Sequence, residues 1–396
     1  MKLSHLVPAL VALALTGCLV GGFDFHARTV EDQYAHALAG DTFHQKSLGD
    51  AVQKATLRQP DLLPVYGSSE VTYGGAASGG SLFSTYPAGF NISRIGFMWE
   101  PILCMAMQFA GDGSLLRGKK VVLVLDRDTV TGDGKWAVDF SALEANELVF
   151  SSDLSLGLKQ RIAGEMVKQN GVMSKDTLLE FAVQRLAAAS PADRALYFAV
   201  FPLGKLHVFI MRLQDHWEIL TYIWNAKKLL PAVQRQPAAP NWASLATIAA
   251  AQVATESANN MFNVSNNWWR WNGAFYLQVR STKSKSSSFV KTVSDVPWQD
   301  LELTLAELQE LGATTLVVGI PMHGPYMDFT GVSRQARAVY YDKLVRLGQR
   351  YGAKVITFQD HEYDKYFFPD LDGHASAEGW VYIDQVLDEF YHGTLR

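Results

Sequence analysis

Five short runs along the chain are apolar almost without interruption and bounded by glycine, proline or charge: 62–66, 93–97, 120–125, 314–320 and 354–358. Runs of that length and β-branched content predict strands. Lacking the apolar/polar alternation of a half-solvated sheet, they predict strands covered on both faces. The stretches between them carry helical periodicity, so the alternation of strand and helix predicts an α/β domain built on a parallel sheet.

Two regions depart from that alternation. From 142 to about 230 the pattern is helical almost throughout, with separate helices predicted over 154–168, 175–188 and 192–224, which reads as a helical insertion. A stretch rich in proline and alanine, 231–240, follows as a linker before the chain returns to the sheet. At the other end, Met1 and Lys2 precede an uncharged apolar run from Leu6 to Phe23, long enough for a signal segment or a membrane span. Leu15, Thr16, Gly17 and Cys18 also fit a site of lipoprotein cleavage and lipidation at Cys18. Because the apolar character continues through Leu19, Val20 and Phe23, an uncleaved anchor is the preferred reading over a lipoprotein or a cleaved signal. All three export the remainder. Amphipathic helices over 30–38 and 46–57 then lead from the anchor to the core. The expected organisation is an anchor over 1–25, a lead-in over 26–60, the first part of the α/β domain over 61–140, the insertion and linker over 141–241, and the second part of the domain over 242–396.

Composition changes this picture little. With 48% hydrophobic and 19% charged residues over 396 positions the chain can bury a large core, and a net charge of −4 argues against nucleic acid as a partner. Cys18 and Cys104 are the only cysteines, and one lies in the anchor segment, so no intramolecular disulfide is expected; Cys104, inside EPILCMAMQFA, reads as a small buried hydrophobe. There is no HExxH, no paired cysteine set, no phosphate loop and no dinucleotide glycine pattern, and no metal or cofactor is expected.

The candidate chemistry lies at two places far apart in the chain. LLPVYGSSE runs a strand directly into Gly67, Ser68, Ser69 and Glu70. A serine just past the carboxyl end of such a strand stands at the rim where open α/β sheets bind ligands. Gly67 permits the tight turn, and Gly67, Ser68, Glu70 and Gly96 are the candidate turn and oxyanion positions. Ser69, second after the glycine, is the candidate nucleophile, with Ser68 its structural neighbour. Near the C-terminus, DLDGHASAEGW brings Asp370, Asp372 and His374 together. A serine hydroxyl needs an imidazole to take its proton and a carboxylate to orient that imidazole, and these two segments supply all three. Asp372 is preferred over Asp370 as the acid, since Gly373 frees the loop between Asp372 and His374.

DGHASAEGW resembles the terminal block of the SGNH hydrolases, in which an Asp and a His share one loop; the position three before the histidine, where that superfamily carries its acid, is Leu371 here. Over nearly the whole length after the anchor, the chain resembles the DltD family of extracytoplasmic D-alanyl transfer proteins. The resemblance rests on LPVYGSSEV, GFNISRIG, LRGKKVVLVL, DFTG at 328–331, and the ending from YDKYFF to GWVYID. It implies an SGNH-hydrolase-like, flavodoxin-like three-layer α/β sandwich with an N-terminal membrane anchor. It also implies a triad of Ser69, His374 and Asp372 or Asp370, and acyl transfer to teichoic acid or a related anionic envelope polymer. The partners it implies are a membrane-embedded O-acyltransferase and an acyl carrier protein. The chain departs from the family where Ser-Pro-Gln-Trp-Phe is replaced by Asp126, Arg127, Asp128, Thr129 and Val130, where Pro-Val-Asn-Gly reads Pro321, Met322, His323 and Gly324, and in having no Gly-x-Asn-Asp block. The side-chain part of an oxyanion hole is therefore not carried over. The rival readings are an esterase or thioesterase with the same triad, and a non-catalytic protein that binds the carrier or the polymer.

Three further features have plain structural readings. NNWWRWNGAFY, with Trp268, Trp269 and Trp271, is expected to pack as a helix or loop on the core. RSTKSKSSSFVK, with Arg280, Lys283, Lys285 and Lys291, is expected to be a solvated loop, and HEYDKY at 361–366 to be surface.

Overall fold

A computed structural model describes residues 6–39, 49–72, 82–83, 85–86, 88–131, 140–151, 153–169, 176–226, 239–278, 285–295 and 298–396. Five parallel strands form one sheet: β1 (Leu62–Tyr66), β2 (Asn91–Ile95), β3 (Lys120–Leu125), β4 (Thr314–Gly319) and β5 (Lys354–Ile356), in the order β2-β1-β3-β4-β5. The five predicted strands are all present. Two match residue for residue, β2 begins two residues earlier than expected, and β4 and β5 end sooner. The order is that of a doubly wound sheet, which reverses direction of winding between β1 and β3.

Side-chain alternation along the strands assigns each residue to one of two cores. Tyr66, Ile95, Val121, Leu123, Leu125 and Val317 face one helical layer, while Leu63, Val65, Ile92, Val122, Val124, Leu316 and Val318 face the other. The second layer is dominated by the helix Ala377–His392, whose Trp380, Ile383, Leu387 and Phe390 are buried against the sheet. Ser376 caps that helix, accepting from the N–H groups of Glu378 and Gly379.

The helical insertion extends the first layer outward, packing on the helices Ile102–Asp112 and Gln299–Leu311. Its helices Ala142–Phe150, Leu156–Met166 and Thr177–Ala188 place Leu148, Phe150, Ile162 and Leu179 in the same cluster as Val121 and Leu123. It is therefore continuous with the sheet's own core. Cys104, on the wholly buried helix Ile102–Asp112, is 3% exposed and packs here as an apolar residue. The predicted linker falls mainly in 227–238, outside the described residues.

At the N-terminus the apolar segment and the first part of the expected lead-in are one unbroken helix, Leu6–Ala39, and the second lead-in helix is separate, Asp50–Arg58. Residues 7–19 are exposed throughout, whereas Ala27, Glu31, Ala35, Leu38 and Ala39 are buried against the globular part. Among the described residues this helix and the insertion's last helix, Pro191–Asn225, are long and apolar enough to cross a membrane.

One buried cation organises the far side of the sheet. Arg337, on the helix Arg334–Arg350, is fully buried and donates to both carboxylate oxygens of Glu362, to Oδ1 of Asp328, to the Val332 carbonyl and to the Tyr363 hydroxyl. Tyr341 donates to the same Glu362 and accepts from the Met322 N–H. The segment 361–366, expected at the surface, thus holds a fully buried carboxylate that ties the loop after β5 to the loop after β4. The reason is the guanidinium, whose five donors no solvent reaches and which must be matched by oxygens.

Two substitutions test this framework. Gly96 has φ +151°, and a Cβ there would stand 1.9 Å from the Gly67 carbonyl oxygen; Gly96→Ala is expected to lower unfolding free energy by roughly 2–4 kcal/mol in denaturant titrations. Arg337→Met strands Glu362, and the same titrations are expected to show a loss of about 3–5 kcal/mol.

Candidate active site

Gly67, Gly96 and Asp126 follow the carboxyl ends of β1, β2 and β3, and parallel pairing aligns them. Tyr66 is in register with Ile95 on one side and with Leu123 on the other, so the three loops leave one rim together. The Gly67 N–H donates to the Ile95 carbonyl at 3.1 Å, and the backbone at Gly96 presses on the Gly67 carbonyl. A Cβ on Gly67 would itself stand 2.6 Å from Val71 Cγ1. Both glycines are required by close approach, which is what turns the chain sharply enough to begin the short helix Ser69–Thr72.

Ser68 and Ser69 part company at that turn. Ser68 is buried and its hydroxyl donates to the Phe97 carbonyl at 3.4 Å. Ser69 is half-buried and its Oγ lies 2.9 Å from Nε2 of His374. His374 Nδ1 lies 2.6 Å from Asp370 Oδ2. A carboxylate only accepts, so Nδ1 carries the proton and Nε2 offers its lone pair to the Ser69 hydroxyl. Serine, imidazole and carboxylate are hydrogen-bonded in line, 305 and 4 residues apart in sequence.

The carboxylate in that line belongs to Asp370, and the preference for Asp372 is corrected. Asp370 is 1% exposed, and its Oδ1 accepts from the N–H of Asp372 at 3.0 Å and of His374 at 3.4 Å. This is the habit of Asp to bond its own backbone two residues on, and it folds the loop so that the imidazole returns to the same carboxylate. Gly373, at φ +97°, makes the return possible. Asp372 points elsewhere: it accepts from the Tyr276 hydroxyl and from Trp268 Nε1 at 3.2 Å. Tyr276 and Trp268 sit on the helix Asn266–Gln278, so the aromatic segment expected to pack on the core instead reaches the site. Trp269 packs on Phe262, and Trp271 is exposed.

Two more carboxyls flank the pair. Asp126 lies against Gly373, where a Cβ would come within 2.8 Å of its Oδ2, and it accepts from the Thr129 N–H at 2.6 Å. Glu70 lies behind the Ser69 turn, 2% exposed. Burial, then the Asp126 charge, pushes Glu70 up to about 8; burial, then Asp128, pushes Asp126 up to about 6. Burial alone disfavours the charged imidazole of His374. The hydrogen bond and charge of Asp370, joined by Asp126 and Glu70, outweigh that and hold its pKa above the ordinary value.

A cleft of about 350 Å³ opens beside this loop, lined among others by Asp126, Arg127, Tyr276, Lys285, His323 and Asp372. His323 is built into its wall: Nε2 faces the Phe262 carbonyl at 2.9 Å, and Nδ1 accepts from the Tyr326 N–H as the cap of the helix Gly324–Phe329. Burial lowers its pKa to about 4, so it is a neutral structural histidine. Lys285 and Lys291 lie on a helix, Lys285–Asp295, where a loop was expected; Arg280 and Lys283 fall outside the described residues. Among the described residues no cluster of His, Cys, Asp and Glu could hold a metal ion.

The fold and this rim define an α/β protein with a serine, an imidazole and a buried carboxylate in hydrogen-bonded line at the carboxyl edge of a parallel sheet. Residues 40–392 match the family described as DltD protein, and the chain belongs to that family. It is 26% identical over 385 residues to Protein DltD of Bacillus subtilis (strain 168), covering 96% of this chain and 93% of that protein. To Protein DltD of Staphylococcus aureus (strain NCTC 8325 / PS 47) it is 24% identical over 364 residues, covering 88% of each.

The electrostatics lead to a spectroscopic expectation. Titrated by NMR in the full chain, the His374 imidazole should protonate above the usual His range, and both Asp370→Asn and Asp126→Asn should move that titration to lower pH. Asp372→Asn, which leaves the Nδ1 partner in place, should move it less than Asp370→Asn.

Proposed function

We propose that the protein transfers an acyl group, D-alanyl by the family resemblance, through a covalent ester on Ser69. The single observation that supports this reading is the unbroken line from Ser69 Oγ to His374 Nε2 and from His374 Nδ1 to Asp370. His374 takes the hydroxyl proton as Ser69 attacks the carbonyl carbon of an activated ester or thioester, then returns it to the departing group. In the second half the same imidazole deprotonates an acceptor hydroxyl, which attacks acyl-Ser69 and frees the serine. Asp370 holds the imidazole in the tautomer that can accept from Ser69 and stabilises it once protonated. The oxyanion donors in this reading are backbone N–H groups at the Ser69 and Gly96 turns, because Asp126 and Arg127 stand where the family carries its neutral polar segment.

The family resemblance makes the acceptor an anionic envelope polymer such as teichoic acid, for which Arg127 and Lys285 are the cations in a cleft that Asp126, Asp128 and Asp372 also line. The exposed apolar stretch 7–19 supports a reading in which the catalytic domain is held at a membrane surface, where a membrane-embedded O-acyltransferase and its acyl carrier protein would supply the acyl group. The raised His374 pKa means that the free base is lost as pH falls through that value, so transfer is expected to rise with pH across it.

Intact-mass spectrometry of the full chain in detergent, after treatment with a serine-directed fluorophosphonate, tests the nucleophile. One adduct on Ser69 is expected, absent in Ser69→Ala and His374→Ala and slowed by about a thousandfold or more in Asp370→Asn. In cells, Ser69→Ala should remove D-alanine esters from the envelope at normal protein level. Unchanged esters would sink the reading, and rapid release of free acid without preference for a polyol acceptor would turn it towards hydrolysis.

A further inference from the structure

The helix Pro191–Asn225 is apolar on two opposite sides. One side carries Tyr197, Gly204, Val208, Ile219 and Ile223 into the protein. The other carries Leu203, Leu206, Phe209, Ile210, Trp217 and Trp224 outward, each 46–60% exposed. Their spacing of three, four and seven keeps these six on a single stripe, and Leu213 falls on the same stripe. No ionisable residue interrupts it. Arg212 bonds Glu147 and Ser151, Asp215 accepts from the N–H groups of Asp50 and Ala51, and His216 bonds Glu31, while Lys205 and Glu218 are exposed to either side of the stripe. A soluble surface does not normally leave such a stripe to water.

What covers it is indicated by its neighbour. The stripe meets the N-terminal helix where that helix leaves the protein: the rings of Phe23 and Trp217 are 6.4 Å apart, and Trp217 sits edge-on to Trp224 at 6.1 Å. Along their contact the two helices run in the same sense, His216 lying beside Asp24 and Glu31, and Ile219 and Ile223 sharing a cluster with Leu38. The parts that precede the contact, 7–22 in one helix and 196–213 in the other, therefore leave it on the same side. Tryptophans gathered at the point where an apolar helix departs are the mark of a membrane interface.

We propose that the outward stripe of Pro191–Asn225 lies in the lipid of the bilayer that the N-terminal helix enters, giving the domain a second membrane contact. Held at two places, the domain presents its rim to the membrane in one orientation instead of swinging about a single helix. From Leu203 to Leu213 the stripe's own side chains are all hydrocarbon, and it ends on the indole of Trp217, which suits lipid with an interfacial tryptophan and not a polar partner surface.

The test uses the full chain carrying Cys18→Ser and Cys104→Ala, reconstituted in phosphatidylcholine and phosphatidylglycerol vesicles, with single bimane-labelled cysteines at Leu206→Cys, Phe209→Cys or Ile210→Cys. Leu13→Cys reports insertion of the N-terminal helix, and Arg346→Cys, on the exposed side of Arg334–Arg350, reports water. Acyl-chain-brominated lipid should quench the three stripe positions as it does Leu13→Cys, and iodide should quench them severalfold less than Arg346→Cys. Iodide quenching equal to that of Arg346→Cys would overturn the proposal, whatever Leu13→Cys shows. So would protection from both quenchers, the signature of a face covered by protein. Three separate label sites ensure that one misfolded variant does not decide the outcome.

Discussion

Everything at the rim depends on the parallel pairing of β1 with strands on both its sides. Because the register brings Tyr66 level with Ile95 and with Leu123, the loops after β1 and β2 leave the sheet at one height, in close contact, and β3 runs two residues further before its loop leaves at the same rim. That crowding leaves no room for side chains at Gly67 and Gly96, and it sets the direction in which Ser69 emerges. It also lays Asp126 against the loop that carries His374, with only Gly373 between them. A doubly wound sheet that reverses between β1 and β3 creates such a crevice by its winding. The particular residues then decide what the crevice does.

The C-terminal loop is held with matching firmness. Asp370 is buried and bonds two of its own loop's amides as well as the imidazole, while a capped helix begins within three residues of His374 and buries Trp380 under the sheet. Four carboxyls, those of Glu70, Asp126, Asp370 and Asp372, gather around a single histidine. Burial keeps Glu70 and Asp126 partly protonated near neutrality, so the site is less negative than a count of acids suggests. The neighbouring cleft is of mixed charge, lined by Arg127 and Lys285 together with Asp126, Asp128 and Asp372.

At the β4 and β5 end of the same rim the polar residues do the reverse. Arg337, Glu362 and Tyr341 bury a complete hydrogen-bonded set that fixes the loops after β4 and β5, and with them the wall formed by His323 and Tyr326. The insertion is likewise structural first, since its helices extend the apolar core on one side of the sheet. Its last helix, however, has more apolar surface than the core can use, and that excess lies beside the N-terminal helix.

Much was legible in the chain because its signals are local. Unbroken β-branched runs mark the strands, their lack of alternation marks a parallel sheet, and a glycine followed by two serines at a strand's end marks the turn. An Asp and a His near the C-terminus mark the partner loop. What the sequence could not decide was which of two aspartates two residues apart faces the imidazole. That depends on the loop's hydrogen bonds to its own backbone, and on Tyr276 and Trp268 claiming Asp372 from about a hundred residues away. Nor could it show that HEYDKY contains a buried anion, because the guanidinium that demands it comes from another helix. Local pattern determines which elements form and where chemistry is offered; long-range packing, where each donor must find an acceptor out of reach of water, decides which residues meet.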